Sequence, residues 1–207
     1  LDFSRIEAGH MVLSAVTFGL EALLRSSLEP FAQQAAQKGI DLRCELPPDL
    51  PASAKGDPNR LRQILTNLVG NAVKFTSRGG VTLSAEVEPP APGKDGFVLT
   101  ARVDDTGIGI PQDIQEHIFD LFRQADNSTS RGYGGTGLGL SIARQLAEMM
   151  GGAIGVDSAP GQGSRFTVRI PLSASDPAEA ARPHPPATRS APRPPSLRVL
   201  VVEDNEE

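Results

Sequence analysis

Two glycine clusters bracketing a polar stretch constrain this chain more than any other feature. The first reads Asp104-Asp105-Thr106-Gly107-Ile108-Gly109-Ile110, the second Gly134-Gly135-Thr136-Gly137-Leu138-Gly139-Leu140-Ser141-Ile142. Between them run Gln, Asn, Ser, Thr and Arg, with little that can pack. Glycine permits positive φ and close backbone approach, so each cluster can bring N–H groups against a phosphate or a base. The second cluster leads into Leu138, Ile142, Leu146 and Met149, spaced as one face of a helix. A helix whose first turn is glycine presents unpaired N–H donors and the positive end of its dipole, which suits an anion. Asp105, beside the first cluster, is an acceptor suited to an amino group such as that of adenine. Either cluster alone is explained by two tight turns. The ordered pair points to a nucleotide.

Composition narrows the class. The 207 residues carry a net charge of −5 and no basic stripe with interleaved aromatics, which argues against nucleic acid as a partner. Cys44 is the single cysteine, so an internal disulfide is excluded and a reducing, cytoplasmic setting is expected. His10, His117 and His184 lie too far apart to suggest a metal site. No run of about 18 apolar residues occurs, so no membrane contact is expected of this stretch.

Periodicity supplies the elements. Residues 1–9 read as the last turns of a helix, Val12 to Phe18 as a short strand, and Leu20 to about Gly39 as a helix. Ile40 to Leu46 alternates as a half-buried strand. Asp57-Pro58 is a strong helix start, and Leu61, Ile64, Leu65, Leu68 and Ala72 form the core stripe up to Thr76. Asn67 and Asn71, four apart, share another face, with Lys74 beyond them. Asparagine is poor in a helix interior, so the pair calls for a reason: either the two cap or bridge neighbouring backbone, or they offer a carbonyl oxygen for a metal ion, with Lys74 for phosphate. Gly80–Glu88 and Phe97–Asp104 predict a hairpin that delivers Asp105 at its end. Pro111–Phe122 predicts a short helix, Gly137–Met150 a longer one, and Ala153–Asp157 with Ser164–Ile170 a final hairpin. The expectation is an α+β, two-layer α/β sandwich: a mixed, mostly antiparallel sheet with about three helices on one face. Residues 173–196, rich in Pro, Ala, Ser and Arg, read as a linker. Leu197 to Val202 reads as a buried parallel strand opening a further domain.

With these residues in view, the chain resembles the catalytic ATP-binding domain of hybrid sensor histidine kinases, within the Bergerat-fold ATPases that include gyrase, Hsp90 and MutL. Asn67–Thr76 resembles the family's N box, Asp105–Ile110 its first glycine box, Phe119–Phe122 its F box and Gly135–Leu140 its second glycine box. The resemblance implies Asn71 as Mg²⁺ ligand, Asn67 beside it, and Lys74 at the phosphates, these three forming the catalytic set. It implies Phe75 near the base and Asp105 as acceptor for the adenine amino group, with Ser164 as its neighbour through a water. Gly107, Gly109 and Ile110 would shape the pocket, with Phe122 at its edge. Gly135, Thr136, Gly137, Leu138, Gly139 and Leu140 would wrap the phosphates. Residues 123–134 would be the ATP lid, with Arg131 a γ-phosphate contact and Tyr133 a lesser one; Gly132 stands where the family often has a second basic residue.

In hydrolysing members a glutamate four residues before the Mg²⁺ asparagine activates water. Asn67 occupies that position and cannot act as a general base. Transfer to an imidazole supplied from outside is then the consistent expectation, with a non-catalytic nucleotide switch and a slow ATPase as alternatives. The implied organisation is the end of a dimerisation helix (1–10), the catalytic domain (11–172), the linker (173–196) and the first strand of a receiver (197–207) bearing Glu203 and Asp204. The implied partners are the dimerisation, histidine-bearing domain of a homodimeric parent and the receiver in cis. The piece itself is expected to be monomeric and cytoplasmic, with the parent either anchored in the inner membrane or free of it.

Overall fold

The computed structural model describes residues 11–89, 95–120 and 139–175. Among these, seven strands form one sheet: β1 (Val16–Gly19), β2 (Asp41–Glu45), β3 (Ser53–Gly56), β4 (Gly80–Glu88), β5 (Phe97–Asp105), β6 (Ala153–Ser158) and β7 (Ser164–Ala174). The strand order is β1-β3-β7-β5-β4-β2, with β6 beside β7. Pairing is antiparallel throughout except for β2 on β4. The long strand β7 pairs along one edge with β5; its other edge meets β6 at Ser164–Arg169 and then β3 at Ser173 and Ala174. The mixed, mostly antiparallel sheet and the hairpins expected from period-two alternation are both present.

The helices are α1 (Leu20–Ser26), α2 (Ala32–Lys38), α3 (Pro58–Phe75), the one-turn α4 (Gln112–Gln115) and α5 (Gly139–Met149). Helix α3 is the spine of the helical layer. Asp57 caps it, its carboxylate accepting from the N–H groups of Asn59 and Arg60 at 3.1 Å each. Its second oxygen accepts from Ser14 N–H at 2.9 Å, tying the chain's entry to the helix start. Leu61, Ile64, Leu65, Leu68, Val69, Ala72 and Val73 are buried along one side. They face Val81, Leu83, Leu99, Ala101, Val103, Val168 and Ile170 from the sheet, which are equally buried. The opposite sheet face is polar. Ion pairs Glu86–Arg102, Asp104–Arg165 and Glu88–Arg169 lie across the strands there.

Several local expectations change. The strand expected over Val12 to Phe18 forms only at Val16–Gly19, and the helix expected over Pro111–Phe122 is, among the described residues, a single turn at Gln112–Gln115. The single helix expected over Leu20 to Gly39 is broken into α1, a 3-10 turn at Glu29–Phe31 and α2. Ser26 and Ser27 turn their hydroxyls back on the Leu23 carbonyl, and Pro30 has no N–H to continue the ladder. Strand β3, unanticipated, is four residues of small and polar side chains held by β1 and β7 rather than by any alternation of its own. Strand β7 runs to Ala174, past the expected domain end at residue 172. The expected terminal dimerisation helix, the lid, the bulk of the linker and the receiver strand lie outside the described residues. No described helix is long and apolar enough to cross a membrane.

Candidate functional site

The site grows from the end of β5. Alternation puts Asp105 on the inward face of that strand at its last position, and it is 9% exposed. Its Oδ1 accepts from the Gly107 N–H at 2.8 Å. The backbone and hydroxyl of Ser164, its direct partner across β7, also bond to the carboxylate. Burial pushes the Asp105 carboxyl above the ordinary aspartate range; the Gly107 and Ser164 hydrogen bonds oppose that rise and the charge of neighbouring Asp104 adds to it. Asp105 is therefore an oriented, partly desolvated acceptor.

The loop after it is shaped by close approach. A Cβ on Gly107 would lie 2.7 Å from the Phe75 carbonyl oxygen and 2.8 Å from Asp105 Oδ1, so only glycine lets the loop pass between them. Gly109 sits at φ +68° with its α-carbon against the Ala159 carbonyl, where a side chain would overlap backbone. Ile110 N–H donates to Ser158 Oγ at 2.8 Å, and Gly161 N–H donates to the Ile108 carbonyl at 2.8 Å. Ser158 Oγ in turn donates to the Gly163 carbonyl at 2.7 Å and lies 3.1 Å from Ser164 Oγ. Gln115 Nε2 closes the cluster by donating to the carbonyls of Ile110 and Ser158, at 2.7 and 2.8 Å. The first glycine loop and the β6–β7 turn thus form one hydrogen-bonded unit around Asp105.

Helix α3 brings the second half. Phe75, 38% exposed, ends the helix beside Gly107, and Lys74 Nζ lies 4.9 Å from its ring centroid. Asn67 and Asn71, both half-buried, lie on the side of α3 away from its buried stripe. Asn67 Nδ2 donates to the Gly139 carbonyl at 3.0 Å, joining α3 to the start of α5. Leu140 packs half-buried against the core. The structure therefore brings Asp105, Gly107, Ile110 and Ser164 into one cluster, sets Gly107 on Phe75, and sets Asn67 on Gly139. Phe122, Arg131, Gly135, Thr136, Gly137 and Leu138 lie outside the described residues. In the expected F box, Phe119 packs edge-on against Phe166, the ring centroids 6.4 Å apart. His117 is exposed and paired with Asp120, a solvated role.

Ser158 and Gln115 were not anticipated. Ser158 and Gln115 bond residues more than forty positions away, which no local pattern signals.

A family model described as "Histidine kinase-, DNA gyrase B-, and HSP90-like ATPase" matches residues 56–174. The chain is 45% identical over 206 residues to the sensor histidine kinase GacS of Pseudomonas protegens, a match covering all of this chain and 22% of that protein. It is 44% identical over 172 residues to the signal transduction histidine-protein kinase BarA of Escherichia coli K12, covering 83% of this chain and 18% of that one. The chain thus spans about a fifth of the length of these curated relatives. The crystal structure of full-length ShkA in complex with AMPPNP superposes with a TM-score of 0.72 at 39% identity, covering 84% of this chain and 35% of that one. The catalytic domain of the histidine kinase ThkA gives 0.63 at 28% identity, covering 79% of this chain and 99% of that one.

Proposed function

The chain belongs to the family of histidine kinase-, DNA gyrase B- and HSP90-like ATPases, and on that premise we propose that it binds Mg-ATP and passes the γ-phosphoryl group to a histidine on a separate dimerisation domain. The observation that carries the reading is the Asp105 cluster at one end of α3, with Asn67 tied to Gly139 two turns back. At 1.5 Å per residue, Phe75 and Asn67 lie about 12 Å apart along the axis, room for a base at one end and phosphates at the other.

Each residue has a task in this reading. Asp105 accepts from the exocyclic amino group, its carboxylate aimed by Gly107 and Ser164. Gly107 and Gly109 keep the wall free of side chains that would fill the pocket. Phe75 offers an apolar face at the base end, and Lys74 neutralises phosphate charge. Asn71 presents a neutral amide oxygen. The described residues hold no cluster of three His, Cys, Asp or Glu side chains that could cage a cation. That donor set fits Mg²⁺, which keeps most of its shell as water and phosphate oxygen and takes few protein ligands. When bound, Mg²⁺ would neutralise charge on the phosphates. Asn67, with its amide nitrogen engaged by Gly139, holds the two helices together and has no proton-accepting group with which to activate water. Catalysis then rests on positioning and charge neutralisation.

The test is phosphotransfer. With γ-labelled ATP, Mg²⁺ and a separately produced histidine-bearing dimerisation domain of the parent, label is expected on that domain, acid-labile as a phosphohistidine is. Steady phosphate release without labelling would replace the reading with an ATPase. Nucleotide binding with neither would leave a switch module.

A further inference from the structure

We propose that Lys38 is a positioning residue of the nucleotide site, holding from a neighbouring helix the end of α3 that carries Lys74 and Phe75. The inference rests on the nucleotide-binding reading above. Helix α3 ends without the left-handed glycine that closes many helices: Thr76 follows it in extended conformation, φ −95° and ψ 125°. Thr76 N–H bonds to the Ala72 carbonyl, and the carbonyls after it point out of the helix end. Lys38 Nζ caps this end, donating to the carbonyls of Val73 at 2.7 Å, Lys74 at 2.8 Å and Thr76 at 3.1 Å. All three ammonium protons are used, at the negative end of the helix dipole.

The backbone that carries Lys38 is itself fixed. Helix α2 closes with Gly39 at φ +68°, Gly39 N–H bonding to the Ala36 carbonyl and Ile40 N–H to that of Ala35. This paired closure makes Lys38 the last residue of α2. Lys38 grips the carbonyls of residues 73, 74 and 76, while the carbonyl of Phe75 is the atom that Gly107 packs against. One ammonium therefore sets both the Lys74 backbone and the surface on which the first glycine loop closes. Arginine cannot copy this, because a planar fork does not converge on three carbonyls.

The test is calorimetric titration of the full chain with a non-hydrolysable ATP analogue and Mg²⁺. Wild type, Lys38→Met, Lys38→Arg, Lys74→Met and the Lys38→Met/Lys74→Met double variant are compared well below the unfolding midpoint of each, with folding checked by circular dichroism. A merely stabilising residue leaves the dissociation constant unchanged where every variant is folded. Lys38→Met is expected to weaken binding about tenfold and Lys38→Arg about threefold, as loss of a supporting partner does at other sites. In the Lys74→Met background the Lys38→Met loss is expected to shrink to about threefold or less. A Lys38→Met constant within about twofold of wild type, or a full loss persisting without Lys74, overturns the inference. Should Lys38→Met fail to fold, Lys38→Arg decides: binding equal to wild type overturns it, threefold weakening supports it. Absence of binding by wild type overturns instead the nucleotide reading on which it rests.

Discussion

At Asp105, the geometry suited to recognising an amino group also burdens the unliganded fold, because a carboxylate that is 9% exposed resists ionisation. Its folded pKa is raised, so its contribution to stability is fully present below the unfolded value of about 4 and is lost as pH rises through the folded one. Binding has the opposite sign. A protonated Asp105 loses an acceptor, so nucleotide affinity is expected to fall as pH drops from neutrality, beginning above the ordinary aspartate range. Asp105→Asn is expected to weaken binding about tenfold at pH 7 and to flatten that pH profile, as read by titration at several pH values. A profile unchanged in the variant would remove Asp105 from the base contact. Gly107→Ala places a methyl group within 2.7 Å of the Phe75 carbonyl, so a loss of about 1–3 kcal/mol in chemical denaturation is expected, together with weaker binding. These positions were legible because residue type and spacing carry their chemistry. A carboxylate at a strand end, glycines after it and asparagines inside a helix each need a reason. Ser158 and Gln115 were not legible, since a serine in a turn and a glutamine on a short helix are ordinary until the fold brings Ile110 to them.

Among the elements, α3 follows its sequence closely, from the Asp57 cap and Pro58 to the buried stripe. Asp57→Ala is expected to cost at least about 1 kcal/mol in chemical denaturation, with Ser14 N–H losing its acceptor as well as the helix its cap. The segment from Leu20 to Lys38 followed its sequence less well, because apolar periodicity continues across a break set by two serines and a proline. Strand β3 left no sequence signal at all; its neighbours create it. The loop 106–110 and the β6–β7 turn act together through the Ser158 hydroxyl. Ser158→Ala strands the Ile110 N–H and Gly163 carbonyl, and a loss of about 1–3 kcal/mol is expected. Nucleotide affinity is expected to fall with it, since Ser164 would lose a neighbour that limits its hydroxyl.

At the scale of the molecule, one layer of helices covers one face of the sheet and the other face is laced with ion pairs, so the described residues share a single core. Leu65 and Leu99 lie fully buried at the centre of that core, on opposite layers. Leu65→Ala or Leu99→Ala is expected to cost about 2–5 kcal/mol in urea unfolding. The two-layer arrangement was legible from alternation and helical periodicity, while the order of strands was not, because β7 takes partners from three parts of the chain. The architecture sets the end of β5 against the end of α3 through Gly107 and Phe75, and α3 against the start of α5 through Asn67 and Gly139. The direct test is one titration of a non-hydrolysable Mg-ATP analogue into the chain, wild type against Asp105→Asn and Asn71→Asp. Saturable one-to-one binding that weakens in both variants is the predicted result. Wild-type binding that neither substitution alters would contradict the placement of base and metal, and no binding at all would contradict the site.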